Sequence, residues 1–214
     1  MKTSNKLLVT MAALVIIGLL SFNITLKGKL VEYKETHKNT KLVLKPFKYL
    51  TLSAKAVRYV NVDIAQNPEY AMLSAQEGVT QKYVGDTLVL ELNESVDYMQ
   101  LQMPRVLGIN VTSGEAIQIN IGNTFKVDSL WIKSQISSTT LELSGIETTN
   151  LDLYSSQSLI VNLDHIKADR LAINGGRNSE LRMKDIKVQP NQLMLSDSIA
   201  VQVLGKDAMK ILNK

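Results

Sequence analysis

The chain has 214 residues, 45% apolar and 21% charged, which excludes a disordered chain and suits one folded domain with an accessory segment. It has no cysteine, which excludes disulfides, thiolate metal sites, a Cys nucleophile and a lipid-modified N-terminal Cys. The formal charge of +4 is uneven: residues 1–60 carry eleven Lys/Arg against two Glu, and residues 61–214 carry thirteen against eighteen Asp/Glu. Positive charge therefore lies mostly outside the bulk of the chain, and no nucleic-acid partner is expected.

Residues 1–6 form a short polar tail with Lys2 and Lys6. Leu7–Leu26 then runs twenty residues without a formal charge. As a helix, that length crosses the hydrocarbon core of a bilayer. Its end, Leu20-Ser-Phe-Asn-Ile-Thr-Leu26, lacks the Ala-x-Ala pattern of a signal cleavage site. The span is expected to be an uncleaved transmembrane anchor, with a removed signal sequence as the alternative. Lys2 and Lys6 favour a cytoplasmic N-terminus. Five lysines from Lys27 to Lys41 compete with them under the positive-inside rule. Residues 27–45 read as a Lys-rich, solvated tether with a short strand at Leu30–Tyr33.

Residues 46–214 form the expected domain, and the pattern there is one of strands. Phe47, Tyr49, Val57, Tyr59, Val62 and Ile64 sit in short β-forming runs, and Asn67-Pro68 marks a turn. Ala71–Ala75 extends another strand. Val79–Val84, Gly85-Asp86 and Thr87–Leu92 read as strand, tight turn, strand.

From Leu101 onward, apolar pairs of the form Leu-x-Leu recur. One series runs Leu101/Met103, Ile119/Ile121, Leu141/Leu143, Val161/Leu163, Leu181/Met183 and Val201/Val203. A second falls between them: Ile109/Val111, Leu130/Ile132, Leu151/Leu153, Leu171/Ile173 and Leu193/Leu195. In each pair two side chains point inward and the residue between points outward. Two short strands per twenty residues cannot enclose a core alone, but stacked coils can. The expected fold is all-β: a right-handed parallel β-helix-like solenoid with turns of about twenty residues. In that register Leu143, Leu163 and Met183 form one inward column, and His165 lies above Asp185. A β-sandwich is the alternative. The tail Lys206–Lys214 reads as a partial cap on the last turn.

Pro46-Phe-Lys-Tyr-Leu-Thr-Leu52, Val57-Arg-Tyr-Val-Asn-Val-Asp-Ile64 and Val84-Gly-Asp-Thr-Leu-Val-Leu90 resemble the start of the head GIN domain. That family is described as auto-transporter adhesins of Bacteroidota-type bacteria. The resemblance covers residues 46–204 and implies a β-helical domain in the cell envelope. With the anchor, it implies a single-pass protein of the bacterial inner membrane, the domain facing the periplasm or outside.

The chemistry legible in the chain is sparse. His37 lies in the tether. His165 occupies the coil position held elsewhere by Arg105, Gly145, Asp185 and Gly205. A His165–Asp185 pair could orient a general base, but no nucleophile is marked beside it. Glu142, Asp152, Asp164 and Asp185 do not share a coil position on adjacent turns, as a glycosidase pair would. No local cluster suits calcium, so neither a metal nor another cofactor is expected. The outward ladder Gln102, Asn120, Glu142, Asn162, Arg182, Gln202 offers a binding surface instead. Candidate binding residues are Trp131, Glu142, Asn162, His165, Arg182 and Asp185, with Tyr154 beside Trp131. The expected function is non-catalytic: a membrane-tethered envelope protein that binds a surface polysaccharide or protein. The alternatives are a structural polymer resembling bactofilins and a polysaccharide-active enzyme.

Overall fold

The computed structural model describes residues 40–55, 57–74, 78–122, 124–189 and 191–204. The expected anchor Leu7–Leu26, the tether up to residue 39 and the C-terminal tail lie outside the described residues. Among the described residues there are strands and turns only, and no helix is long and apolar enough to cross a membrane.

The strands in chain order are β1 (Thr40–Val43), β2 (Tyr49–Ser53), β3 (Tyr59–Gln66), β4 (Ala71–Ser74), β5 (Val79–Val84) and β6 (Thr87–Leu92). There follow β7 (Tyr98–Met103), β8 (Gly108–Ser113), β9 (Ala116–Gly122), β10 (Phe125–Lys126), β11 (Ser129–Ser134), β12 (Ser138–Ser144) and β13 (Ile146–Ser155). The last are β14 (Ser158–Asp164), β15 (Lys167–Asn174), β16 (Ser179–Lys184), β17 (Lys187–Val188), β18 (Leu193–Leu195) and β19 (Ile199–Leu204). They form two sheets. The first runs β1-β4-β7-β3-β9-β12-β14-β16-β19. The second runs β17-β15-β13-β11-β8-β2-β6-β5, with β10 on β13 and β18 on β15.

From β8 onward the chain passes back and forth between the sheets, with β10 and β11, and β17 and β18, consecutive in the second, and neighbouring strands pair in parallel. Leu141 pairs with Val161 and Val161 with Leu181; Leu143 pairs with Leu163 and Leu163 with Met183. Each step is twenty residues, and the offset continues to Val201 and Val203 on β19. In the second sheet Ile109, Ile132, Leu153, Ile173 and Leu195 are successive neighbours. The physical cause is the two-residue side-chain period: β12 and β14 both alternate half-buried and buried positions along their length.

The described residues are all-β, as expected, but the expectation of a parallel β-helix over residues 46–214 is corrected, because the two sheets are mixed. β1 and β4, β4 and β7, and β5 and β6 pair antiparallel. The Leu101-to-Ile119 step of the expected ladder is also corrected. β3 inserts between β7 and β9, so Ile64 pairs with both Leu101 and Ile121. Likewise β2 inserts between β6 and β8, bringing Leu50 beside Leu88 and Ile109. The Val-rich run of β3 buries Val60, Val62 and Ile64 on one face, which lets it complete the same inward columns. The β5–β6 hairpin forms as its sequence suggests, with Gly85 at φ +58° in the turn.

The core is aliphatic apart from Phe47 and Phe125. Its two ends differ. At the N-terminal end Leu44 and Phe47 are buried, and Phe47 packs on Tyr70 with ring centroids 5.2 Å apart. At the other end Val201 continues the inward column, yet it is 37% exposed.

Candidate functional site

The outer face of the first sheet carries a polar row across seven strands: Gln100, Asp63, Asn120, Glu142, Asn162, Arg182 and Gln202. In the β7–β3–β9 part Asp63 and Asn120 are engaged by hydrogen bonds to each other and to their neighbours. Tyr98 Oη donates to Asp63 Oδ2 at 2.8 Å, and Asn120 Nδ2 donates to Asp63 Oδ1 at 2.6 Å and Asn61 Oδ1 at 2.8 Å. Gln118 Nε2 donates to Asn120 Oδ1 at 2.9 Å, and Tyr59 Oη to Gln118 Oε1 at 2.6 Å. Burial, and then the bond to Asp63, push the Tyr98 phenol up to about 12.

In the β12–β16 part the row is open. Asn162 Nδ2 donates to Glu142 Oε1 at 2.6 Å, and Arg182 Nη2 donates to Glu180 Oε2 at 3.0 Å. Beside this row lies a second with smaller residues, Gly122 and Ser144, followed by Asp164, Lys184 and Leu204. The two rows line a groove of about 460 Å³ crossing β9, β12, β14, β16 and β19.

The turns at the rim of this groove repeat one backbone conformation. Gly145, His165 and Asp185, twenty residues apart, take φ of +65°, +54° and +53°. Glycine enters this left-handed region without cost, and His and Asp are among the residues that tolerate it. His165 Nδ1 lies 2.8 Å from Asp164 Oδ1, and its Nε2 lies 3.5 Å from Asp185 Oδ2. Lys184 Nζ is 3.6 Å from the same Asp164 oxygen. That oxygen is buried and lies close to both groups without an aligned hydrogen bond to either. The ligand atoms of Asp164, His165 and Asp185 lie within 4.8 Å of one another. One imidazole and two carboxylates are a donor set that divalent cations accept. As arranged, the two carboxylates face different ring nitrogens, and Lys184 shares Asp164 with the imidazole.

The six candidate residues do not form one surface. Glu142, Asn162 and Arg182 share the groove, with His165 and Asp185 on its rim. Trp131 lies on the second sheet, between Gly108 and Asp152. Its ring stacks on Tyr49 at 6.0 Å and 30°. Tyr154 is near it on the same sheet, 41% exposed, with Lys133 Nζ 5.6 Å from its ring centre. Sequence reasoning missed Asp63, Tyr98 and the part Asp164 plays beside His165. Asp164 adjoins His165 in the chain, so that signal was present. Asp63 and Tyr98 join the row only through the insertion of β3.

No family model matches the chain, and no curated protein is similar to it, so the GIN resemblance has no family match behind it. Among solved structures the chain is similar to a "putative lipid binding protein" from Parabacteroides distasonis ATCC 8503. The identity is 10% and the TM-score 0.35, over 78% of this chain and 97% of that one. It is also similar to a "putative adhesin" from Parabacteroides merdae ATCC 43184, at 7% identity and TM-score 0.27, over 78% and 95% of the two chains.

Proposed function

We propose that this is a non-catalytic, membrane-tethered protein of the bacterial cell envelope, whose GIN-like, β-helical domain binds a surface polymer or protein. The tether and the envelope location rest on the charge-free Leu7–Leu26 span. The β-helical reading rests on the parallel pairing from β8 to β19, which keeps a constant twenty-residue offset from β12 to β19 in the first sheet. The observation that carries the binding function is the groove across five parallel strands with Glu142, Asn162 and Arg182 in one row. A rigid sheet with regularly spaced polar side chains suits an extended ligand that makes contacts on several strands. The non-catalytic reading is supported by His165, which is exposed and has no hydroxyl partner among the described residues.

The full chain in detergent, screened against envelope glycans, peptidoglycan fragments and matrix proteins, tests this reading. The expected result is binding that weakens in Glu142→Ala and Arg182→Ala, without turnover. Glycan cleavage that disappears in His165→Ala or Asp185→Asn overturns it.

A structural polymer is the second reading, and one observation favours it. β19 is an uncharged end strand, Ile199-Ala-Val-Gln-Val-Leu204, with Val201 and Leu204 exposed. Such an edge is a template for strand pairing with another chain. Concentration-dependent filaments of the full chain, abolished by Val201→Lys, would select that reading over a monomeric binder.

A further inference from the structure

We infer that the ligand of the groove on the first sheet is an extended, electrically neutral polysaccharide, an inference that rests on the binding function proposed above. Three features of the groove point to this chemistry over a protein or a polyanion.

The first is shape. The groove runs across the strands, and at about 4.8 Å per strand its five strands span roughly 19 Å. Its floor is low where β9 and β12 place Gly122 and Ser144, and a Cβ on Gly122 would meet nothing within 4 Å. A ligand lying there is narrow and extended, and repeats on the scale of a strand spacing, which is close to the length of one pyranose unit.

The second is the supply of hydrogen-bonding groups. In the β7–β3–β9 part Asp63 and Asn120 are engaged with each other and with their neighbours, as described above. In the groove, Asn162 uses one N–H on Glu142 Oε1, and Arg182 uses Nη2 on Glu180. Glu142 Oε2, the second Asn162 N–H and the rest of the Arg182 fork have no partner among the described residues. The carboxylate oxygen accepts and the Asn162 and Arg182 N–H groups donate, in planar groups at successive strand spacings, which complements adjacent sugar hydroxyls that do both.

The third is the absence of the anchors other ligands need. Protein partners bind through aromatic or large apolar side chains in desolvated pockets. The outward groups of the groove include one apolar side chain, Leu204, at its end. Glu142 and Asp164 balance Arg182 and Lys184, so a polyanion gains little. The methylene stems of these long side chains supply carbon surface for the C–H faces of sugar rings.

The test is titration calorimetry of the full chain in detergent, with cellohexaose and chitohexaose as probes. The expected result is affinity rising from disaccharide to hexasaccharide, and falling about tenfold or more in Asn162→Ala and Arg182→Ala. Gly122→Leu, which fills the floor and leaves every polar group in place, abolishes it. Arg170→Ala, on the second sheet, leaves it unchanged. Hexasaccharide binding indifferent to Arg182→Ala and Gly122→Leu overturns the assignment. So does failure of both saccharides, or capture of a protein through Arg182 instead; in that last case the broader binding function stands. A groove that binds neither class overturns both.

Discussion

A Cβ added to Gly108 would lie 2.0 Å from Cε2 of Trp131, 2.2 Å from Cζ2 and 2.5 Å from Nε1. The indole rests directly on the backbone of the neighbouring strand, in the space a side chain would fill, and reaches Tyr49 beyond it. Gly108→Ala should therefore expel the ring, at a cost of about 1–3 kcal/mol as an overpacked site. Trp131 is the sole tryptophan, so its emission reports this contact without interference. The expected outcome is a red shift together with a lower denaturation midpoint. An unchanged emission maximum would rule out the packing described.

The inward columns make a sharper stability contrast. Leu163 is 2% exposed and lies between Leu143 and Met183. Leu163→Ala should cost about 2–5 kcal/mol as a buried cavity. The neighbouring Asn162→Ala removes one part-buried hydrogen bond to Glu142 and should cost about 0.5–1.5 kcal/mol. Denaturant unfolding of both variants measures the difference. Equal costs would contradict the assignment of inward and outward faces.

Glu147 on β13 contacts Lys167 Nζ at 2.6 Å and Lys126 Nζ at 2.9 Å. The hydrogen bond from Lys167, then that from Lys126, hold its carboxyl down at about 2, against an ordinary 4.5. A depressed carboxyl stabilises the fold above its unfolded value, and that contribution is lost as pH falls through the folded one. The window is therefore from about pH 4.5 down to about pH 2. The group is exposed, so the effect is small and should shrink in high salt. Glu147→Gln should flatten the acid limb of the stability profile in that window. An NMR titration placing the Glu147 midpoint near 4.5 would remove the basis of this prediction.

Tyr98 behaves in the opposite sense. Its pKa is raised to about 12, from 10 in the unfolded chain. Its contribution is present below about pH 10 and falls as pH rises toward 12. Asp63→Asn removes the charged acceptor and should lower the phenol's midpoint, read as the difference in tyrosinate absorbance against Tyr98→Phe.

The anchor is tested by chemistry at the N-terminus. If Leu7–Leu26 stays on the protein, sequencing of membrane-extracted material begins at the first residues of the chain. A mature chain beginning between residues 22 and 30 would establish a cleaved signal instead. Val15→Arg should impair insertion by about 2.5–3.5 kcal/mol.

Much of the regular half of the domain is legible in the sequence. A side-chain period of two says which residues share a face, and a constant twenty-residue interval says which strands have the same environment. Leu143, Leu163 and Met183 are identifiable on those grounds alone, as is the neighbourhood of His165 and Asp185, because β12, β14 and β16 follow one another at exact twenty-residue offsets. The hairpin at Gly85 was equally local, since its turn chemistry lies within a few residues.

The identity of a strand's neighbours outside that register was decided only in three dimensions. β3 has the same alternating pattern as β9, and nothing in its residues says that it will sit between β7 and β9. Alternation fixes the buried face of a strand, while its place in the sheet follows from which columns need filling. For the same reason the candidate site divided. Trp131 and Glu142 are only eleven residues apart, yet β11 and β12 lie in different sheets, so the two residues face opposite sides of the core. The left-handed turn shared by Gly145, His165 and Asp185 was also invisible, because only one of its three occupants is the glycine that marks such a turn in a sequence. Sequence determined the period of the chain; packing of non-local strands determined which polar side chains meet on one surface, because that depends on sheet order rather than on spacing.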